Sequence, residues 1–182
     1  MIGTKNLLKC LLVCGLIFMG FQLSAQEVAT IVGMDYGQRY QVEEDETFSI
    51  YGGMQIPLSY SRKRRLNTIA YMHWGYEFST PFGGIMDGAI GPGLSLGSRK
   101  AQPFVVFAQP MVCLGIAKDL DHDYQGGIGW RVGLEGKIDA FGIRLTWEDK
   151  NLSFVDESER VLWEASPRIS IGINYHFVLE GY

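Results

Sequence analysis

Residues 26–182 lack helical periodicity, and no apolar run among them approaches the roughly 20 residues that a membrane-spanning helix needs. Cysteine is scarce: of 3 in the chain, Cys10 and Cys14 fall in the first 25 residues, leaving Cys113 alone thereafter. A lone cysteine excludes an intramolecular disulfide, so a small exported domain must be held by its sheet or its solvent. Positive charge is also short, with 16 Lys and Arg against 20 Asp and Glu, a formal net charge of −4 that argues against nucleic acid as a partner. Histidine occurs only 3 times, which limits imidazole chemistry. What is plentiful is glycine, at 23 residues, and aromatics, at 13%. That mixture suits strands joined by turns rather than helices.

The first 25 residues are expected to be a secretory signal peptide. Lys5 and Lys9 precede the apolar run Cys10–Phe21, and Leu23-Ser24-Ala25 offers a small residue for cleavage. A lipid-modified Cys14 is the weaker reading, because Val13 stands where a small residue belongs and the apolar stretch runs on. Residues 26–182 are then expected to be one domain, with no linker, repeat or low-complexity segment dividing them.

Period-two alternation recurs throughout that domain. Ala70, Met72, Trp74, Tyr76 and Phe78 oppose Tyr71, His73, Gly75 and Glu77. Ile128, Trp130, Val132, Leu134 and Ile138 oppose Gly129, Arg131, Gly133, Glu135 and Lys137. Ile169, Ile171, Ile173, Tyr175 and Phe177 oppose Arg168, Ser170, Gly172, Asn174 and His176. Such patterns predict half-buried strands. Eight are expected, near residues 28–38, 47–60, 66–79, 87–97, 103–117, 126–138, 141–149 and 167–178, each long enough to cross a bilayer at a tilt.

The connections alternate in character. Those at 61–65, 98–102 and 139–140 are short, whereas 39–46, 80–86, 118–125 and 150–166 are longer and mostly acidic. The apolar face carries Tyr60, Phe104, Phe141, Tyr175 and Phe177 toward the short turns. It carries Tyr36, Phe48, Trp74, Tyr76, Phe78, Trp130 and Trp147 toward the long loops. Two aromatic girdles around an aliphatic band, with short turns at one end and longer loops at the other, are the pattern of an outer-membrane barrel. The expected fold is therefore all-β: a closed, antiparallel, eight-stranded transmembrane barrel with apolar residues outward and polar residues in the lumen.

Ser170, Gly172, Tyr175 and Phe177 supply a polar residue, a glycine and two alternate aromatics near the C-terminus. This resembles the C-terminal assembly signal of bacterial outer-membrane barrels, except that Val178–Tyr182 follow the last aromatic. Residues 26–182 resemble the small eight-stranded barrels of the OmpA/OmpX and Bacteroidetes-type outer-membrane families. The resemblance implies integral outer-membrane location, with long loops outside and both termini periplasmic. It also implies insertion by the barrel-assembly machinery, contact with membrane lipid and lipopolysaccharide, and a monomer without cofactor or metal.

Candidate chemistry is thin. Asp119, Asp121 and Asp123 have the opening spacing of a calcium loop, but Tyr124 takes the glycine position and Trp130 the closing carboxylate, so a solvated acidic loop is the better account. Gly88, Gly91, Gly93 and Gly97 lie in neither a dinucleotide nor a phosphate-loop context. A hydrolase needs a His beside a Ser. His122 is on a loop, while His73 and His176 join Tyr71, Glu77 and Arg168 among the expected lumen residues. Pro92 and Pro110 each remove a ladder donor from neighbouring strands, beside the inward apolar face of Val105, Phe107, Met111 and Cys113. That pair raises a second reading, a lipid A-modifying or lipid-binding barrel with a lateral seam there. A narrow channel is the third, set against a lumen crowded by large and charged side chains.

The hairpin across Asp139-Ala140 yields a register. A two-residue turn pairing Ile138 with Phe141 sets Glu135 opposite Arg144 and Arg131 opposite Glu148, all four facing the lumen. Two opposite-charge pairs are expected from that register. The overall expectation is a non-enzymatic outer-membrane barrel whose acidic external loops meet surface partners or lipopolysaccharide.

Overall fold

The computed structural model describes residues 27–39, 46–58, 66–79, 83–98, 101–117, 124–155, 161–165 and 167–180. The segment read as a signal peptide, Tyr60 and the aspartates of 118–123 lie outside them. Eight strands close a barrel: β1 Glu27–Arg39, β2 Glu46–Pro57, β3 Leu66–Ser79, β4 Gly83–Ser98, β5 Ala101–Ala117, β6 Tyr124–Ile138, β7 Phe141–Asp149 and β10 Arg168–Glu180. Each is antiparallel to both neighbours, and β10 pairs with β1 to close the sheet. Closure leaves no strand edge, so backbone donors and acceptors can be satisfied without water. Two short strands, β8 Ser153–Val155 and β9 Val161–Glu164, pair with each other inside the β7–β10 connection, which the alternation pattern had assigned to plain loop.

Outward positions are apolar and exposed along every barrel strand. Met34, Ile50, Ile90, Val106, Ile128, Leu145 and Ile171 all face out, and Ile138 and Phe141 reach 79% and 67% exposure. Inward positions are buried and mostly polar: Asp35, Glu77, Arg131, Glu135, Arg144, Glu148 and Arg168 lie at 3% exposure or less. A soluble domain reverses this distribution. Buried ions inside and aliphatic side chains outside describe a transmembrane barrel.

The aromatic residues cluster as the sequence suggested. Phe48 and Phe78 lie 5.9 Å apart, and Tyr76 meets Phe78 edge-on at 4.7 Å. On the opposite seam Phe141 meets Tyr175 at 5.2 Å, and Tyr175 meets Phe177 at 4.7 Å. Two rings also cover glycine: an added Cβ on Gly52 would strike the Trp74 indole, and one on Gly84 the Tyr76 phenol.

The strand boundaries correct the expected loops. β4 begins at Gly83 rather than Asp87, so the third connection spans only 80–82, and β2 ends at Pro57 rather than residue 60. The contrast between short turns and long loops is consequently weaker than expected. The tight turn at Asp139-Ala140 is present, with Asp139 at a φ of 53°, the left-handed conformation a two-residue hairpin demands at its first position. It sets Glu135 beside Arg144, Arg131 beside Glu148, Leu134 beside Leu145 and Val132 beside Trp147.

Candidate functional site

The lumen is where this chain concentrates its polar chemistry, and alternation is what puts it there. Three zones stack along the axis.

Beside the β6–β7 turn, Glu135 of β6 is the hub. Its carboxylate accepts from Gln55 Nε2 at 3.2 Å, Tyr71 Oη at 3.2 Å and Asn174 Nδ2 at 2.9 Å. His176 Nε2 lies 3.0 Å away and Lys137 Nζ 3.6 Å, while Lys137 also donates to Gln55 Oε1 at 2.5 Å. Five side chains from four strands therefore converge on one carboxylate, which satisfies its lone pairs without water.

The middle zone is aromatic and cationic. Tyr71 stacks on Phe107 with ring centroids 4.5 Å apart and 4° between planes. An added Cβ on Gly133 would come within 2.3 Å of Phe107, so that glycine makes the space for the stack. Arg144 lays its guanidinium over the Tyr51 ring at 3.5 Å and approaches Tyr71 Oη and His73 Nδ1, both at 3.5 Å. A guanidinium only donates, so Nδ1 accepts and Nε2, 3.0 Å from Asp87 Oδ1, carries the proton.

The third zone is a continuous ion network. Arg168 bridges Asp35, at 2.6 Å, and Glu148, at 3.1 Å. Arg131 grips Glu148 through both Nε and Nη2, at 3.0 and 2.6 Å, and Arg39 pairs with Glu77. Lys150, just beyond β7, reaches Glu77 at 2.6 Å, Asp87 at 2.7 Å and Glu148 at 3.4 Å. All these side chains are essentially excluded from solvent.

Of the two expected ion pairs, the geometry contains Arg131–Glu148 but not Glu135–Arg144. Arg144 instead pairs with Asp35 of β1 at 3.1 Å, across β10, and touches Glu135 only through the shared Tyr71 hydroxyl. Facing residues in a cross-strand register meet only if neither finds a better partner across the barrel, and here both do. His73 and Glu77, about 13 Å apart along an extended strand, are joined through Asp87 and Lys150. Among the described residues the partners of His73 are Asp87, Arg144 and Tyr51, and those of His176 are Glu135 and Asn174, with no serine among them. Ser170 and Gly172 of the assembly-signal pattern point inward and Tyr175 and Phe177 outward. An added Cβ on Gly172 would press to 2.7 Å of Asp35. Among the described residues no cluster of His, Cys, Asp and Glu is arranged to hold a metal ion.

Asp35, Asp87 and Lys150 were missed by the sequence reading although parity marks them. Asp35 alternates with Gly33 and Gly37 on the inward side of β1, and Lys150 continues the inward series Gly142, Arg144, Thr146, Glu148.

Pro92 and Pro110 both face outward and both interrupt the β4–β5 ladder. The pairing holds from Gly83–Ala117 to Ala89–Met111 and resumes at Gly93–Phe107, leaving Ile90–Pro92 and Ala108–Pro110 without rungs. The ladders from β4 to β3 and from β5 to β6 continue past both prolines, so the lost donors belong to the shared side. From inside, Gln109 Nε2 donates to the Tyr71 carbonyl at 2.6 Å, lashing β5 to β3 across Gly91.

No family model matches the chain, and no curated protein matches it. Among solved structures it is similar to the N-terminal β-barrel domain of Pseudomonas aeruginosa OprF, at 9% identity over 84% of this chain and 98% of that one, with a TM-score of 0.49. It is also similar to the outer-membrane enzyme PagL, at 12% identity over 81% and 98% with a TM-score of 0.45. A third likeness is to a de novo designed transmembrane β-barrel, at 16% identity over 85% and 98% with a TM-score of 0.40.

Proposed function

We propose that this chain is an integral outer-membrane barrel without enzymatic activity, carried to the membrane by its signal peptide and inserted by the barrel-assembly machinery. The observation that carries the reading is the inside-out distribution: aliphatic and aromatic residues outward on every barrel strand, and a lumen filled by interlocked ions and aromatic rings. A filled lumen favours a structural or surface-contact role over broad diffusion. The connections β1–β2, β3–β4, β5–β6 and β7–β10 face the outside in this reading, and the acidic ones among them meet surface partners or the cation-bridged lipopolysaccharide leaflet. Both termini are then periplasmic. The test is fractionation followed by planar-bilayer recording. Extraction by detergent alone, a monomer in detergent and no steady conductance are expected; recovery as a freely soluble periplasmic protein would overturn the reading.

A second reading is favoured by one feature, the unladdered stretch between β4 and β5. Inside, the stretch is flanked along β5 by the apolar residues Val105, Phe107, Met111 and Cys113, so a lipid chain entering sideways would find a compatible wall. Native mass spectrometry of protein extracted from its own membrane tests it: retained acyl lipid lost on Phe107→Asp supports a lipid-binding or lipid A-modifying barrel, and a lipid-free lumen removes it.

A further inference from the structure

β7 is the shortest barrel strand, ending at Asp149, and the chain then leaves the wall for the lumen. Lys150 and Leu152 are buried at 0% and 2% exposure, although neither belongs to a strand. The backbone crosses the inner face of β6 at two glycines. An added Cβ on Gly129 would lie 2.0 Å from Asp149 O, and one on Gly127 2.8 Å from Asn151 O. Asn151, at a φ of 43°, turns the chain so that Leu152 enters an apolar cluster with Ile85, Ala89, Met111 and Cys113. Ala165 joins that cluster from the returning arm, its amide donating to Leu152 O at 2.7 Å. A hydrophobic underside and a charged tip are thus carried into the mouth by a non-strand segment.

The charge inventory shows which part can leave. Among the described residues of the middle and third zones the barrel wall itself contributes four guanidiniums (Arg39, Arg131, Arg144 and Arg168) and four carboxylates (Asp35, Glu77, Asp87 and Glu148). Among the described residues these are equal in number without Lys150. Withdrawing a wall arginine strands a buried carboxylate. On withdrawal of Lys150, Glu77 keeps Arg39, Glu148 keeps Arg131 and Arg168, and Asp87 keeps His73 at 3.0 Å and Arg131 at 3.9 Å.

We propose that Asp149–Ser153, with Ala165, is a strap that closes the β7–β10 mouth of the barrel, latched by Lys150 onto Glu77, Asp87 and Glu148. Its release exposes the lumen as far as Cys113 to small aqueous solutes. Gly127 and Gly129 are the track on which it seats; with the strap out, they border a space that water fills.

Cys113 is a native reporter, because it lies buried in the cluster that Leu152 and Ala165 complete. The experiment reconstitutes the protein in phospholipid vesicles, exposes it to a charged, membrane-impermeant maleimide and quantifies the Cys113 peptide by mass spectrometry. Lys150→Gln should raise the labelling rate at least tenfold, with sheet content unchanged by circular dichroism. Gly129→Ala, which keeps Lys150 but pushes on the strap backbone, should raise it too, and remains decisive if Lys150→Gln does not fold. Lys137→Gln, in the zone beside the β6–β7 turn, should leave the rate at the wild-type value. Wild-type labelling in both strap variants, or equal acceleration in Lys137→Gln, would overturn the latch.

Discussion

Arg144 offers a test of whether pairing across the barrel outweighs pairing along the sheet. Its guanidinium is fully buried, contacts Asp35 at 3.1 Å and covers the Tyr51 ring at 3.5 Å, while Glu135, its neighbour in register, is engaged elsewhere. At an effective dielectric of about 20, unit charges 3 Å apart attract by roughly 5 kcal/mol before desolvation is counted. Removing one partner of a buried pair costs on the order of 3–5 kcal/mol, because the other is stranded. The desolvated cation–π contact contributes about 2 kcal/mol within that total. Arg144→Met should therefore destabilise the barrel by about 4 kcal/mol. Because Asp35 also holds Arg168 at 2.6 Å, the measure is the coupling energy: Asp35→Asn should couple to Arg144→Met by about 2–3 kcal/mol, whereas Glu135→Gln should couple to it by less than about 1 kcal/mol. Urea titration in lipid vesicles, followed by tryptophan fluorescence, gives both double-mutant cycles. Coupling to Glu135 equal to or larger than coupling to Asp35 would refute the reasoning.

Pro110→Ala restores a donor facing β4, and amide exchange at Ile90 and Gly91 should slow relative to wild type; unchanged exchange would show that the prolines do not cause the missing rungs. Gly133→Ala drives a methyl into the Phe107 ring, and the expected loss is about 1–3 kcal/mol, the usual range for overpacking, measured by the same urea titration. A neutral Gly133→Ala would mean that the Tyr71–Phe107 stack shifts freely.

Much of the architecture was legible because side-chain direction in a strand has a period of two, and that period is local. It placed Tyr71, His73, Glu77, Arg131 and Arg168 inward without reference to any other strand, and the Asp139-Ala140 turn then set the β6–β7 register by itself. The choice of Asp35 for Arg144 was not legible. It depends on how far β1, β10 and β7 curve toward one another around the lumen, a property of closure rather than of any hairpin. The strap escaped for a different reason: parity carries Lys150 and Leu152 inward past the end of β7, but the polar composition of 150–166 reads as solvent-exposed loop. The early start of β4 was hidden by Gly83 and Gly84, which carry turn character and no apolar face.

The ion network has a bearing on how the chain reaches its native state. Arg168 and Asp35 are 133 positions apart in sequence, and Arg144 and Asp35 are 109 apart, yet both pairs straddle the junction that turns an open sheet into a cylinder. Neither can form while β1 and β10 are separate, so most of this attraction arrives in the final step of assembly. Interactions absent from a transition state slow unfolding without speeding folding. The network should accordingly act as a ratchet on insertion, contributing little while strands accumulate and then holding the closed form. It also checks alignment, since a one-residue slip of β10 against β1 would turn Arg168 toward hydrocarbon. A misaligned cylinder would reopen; a correct one would persist.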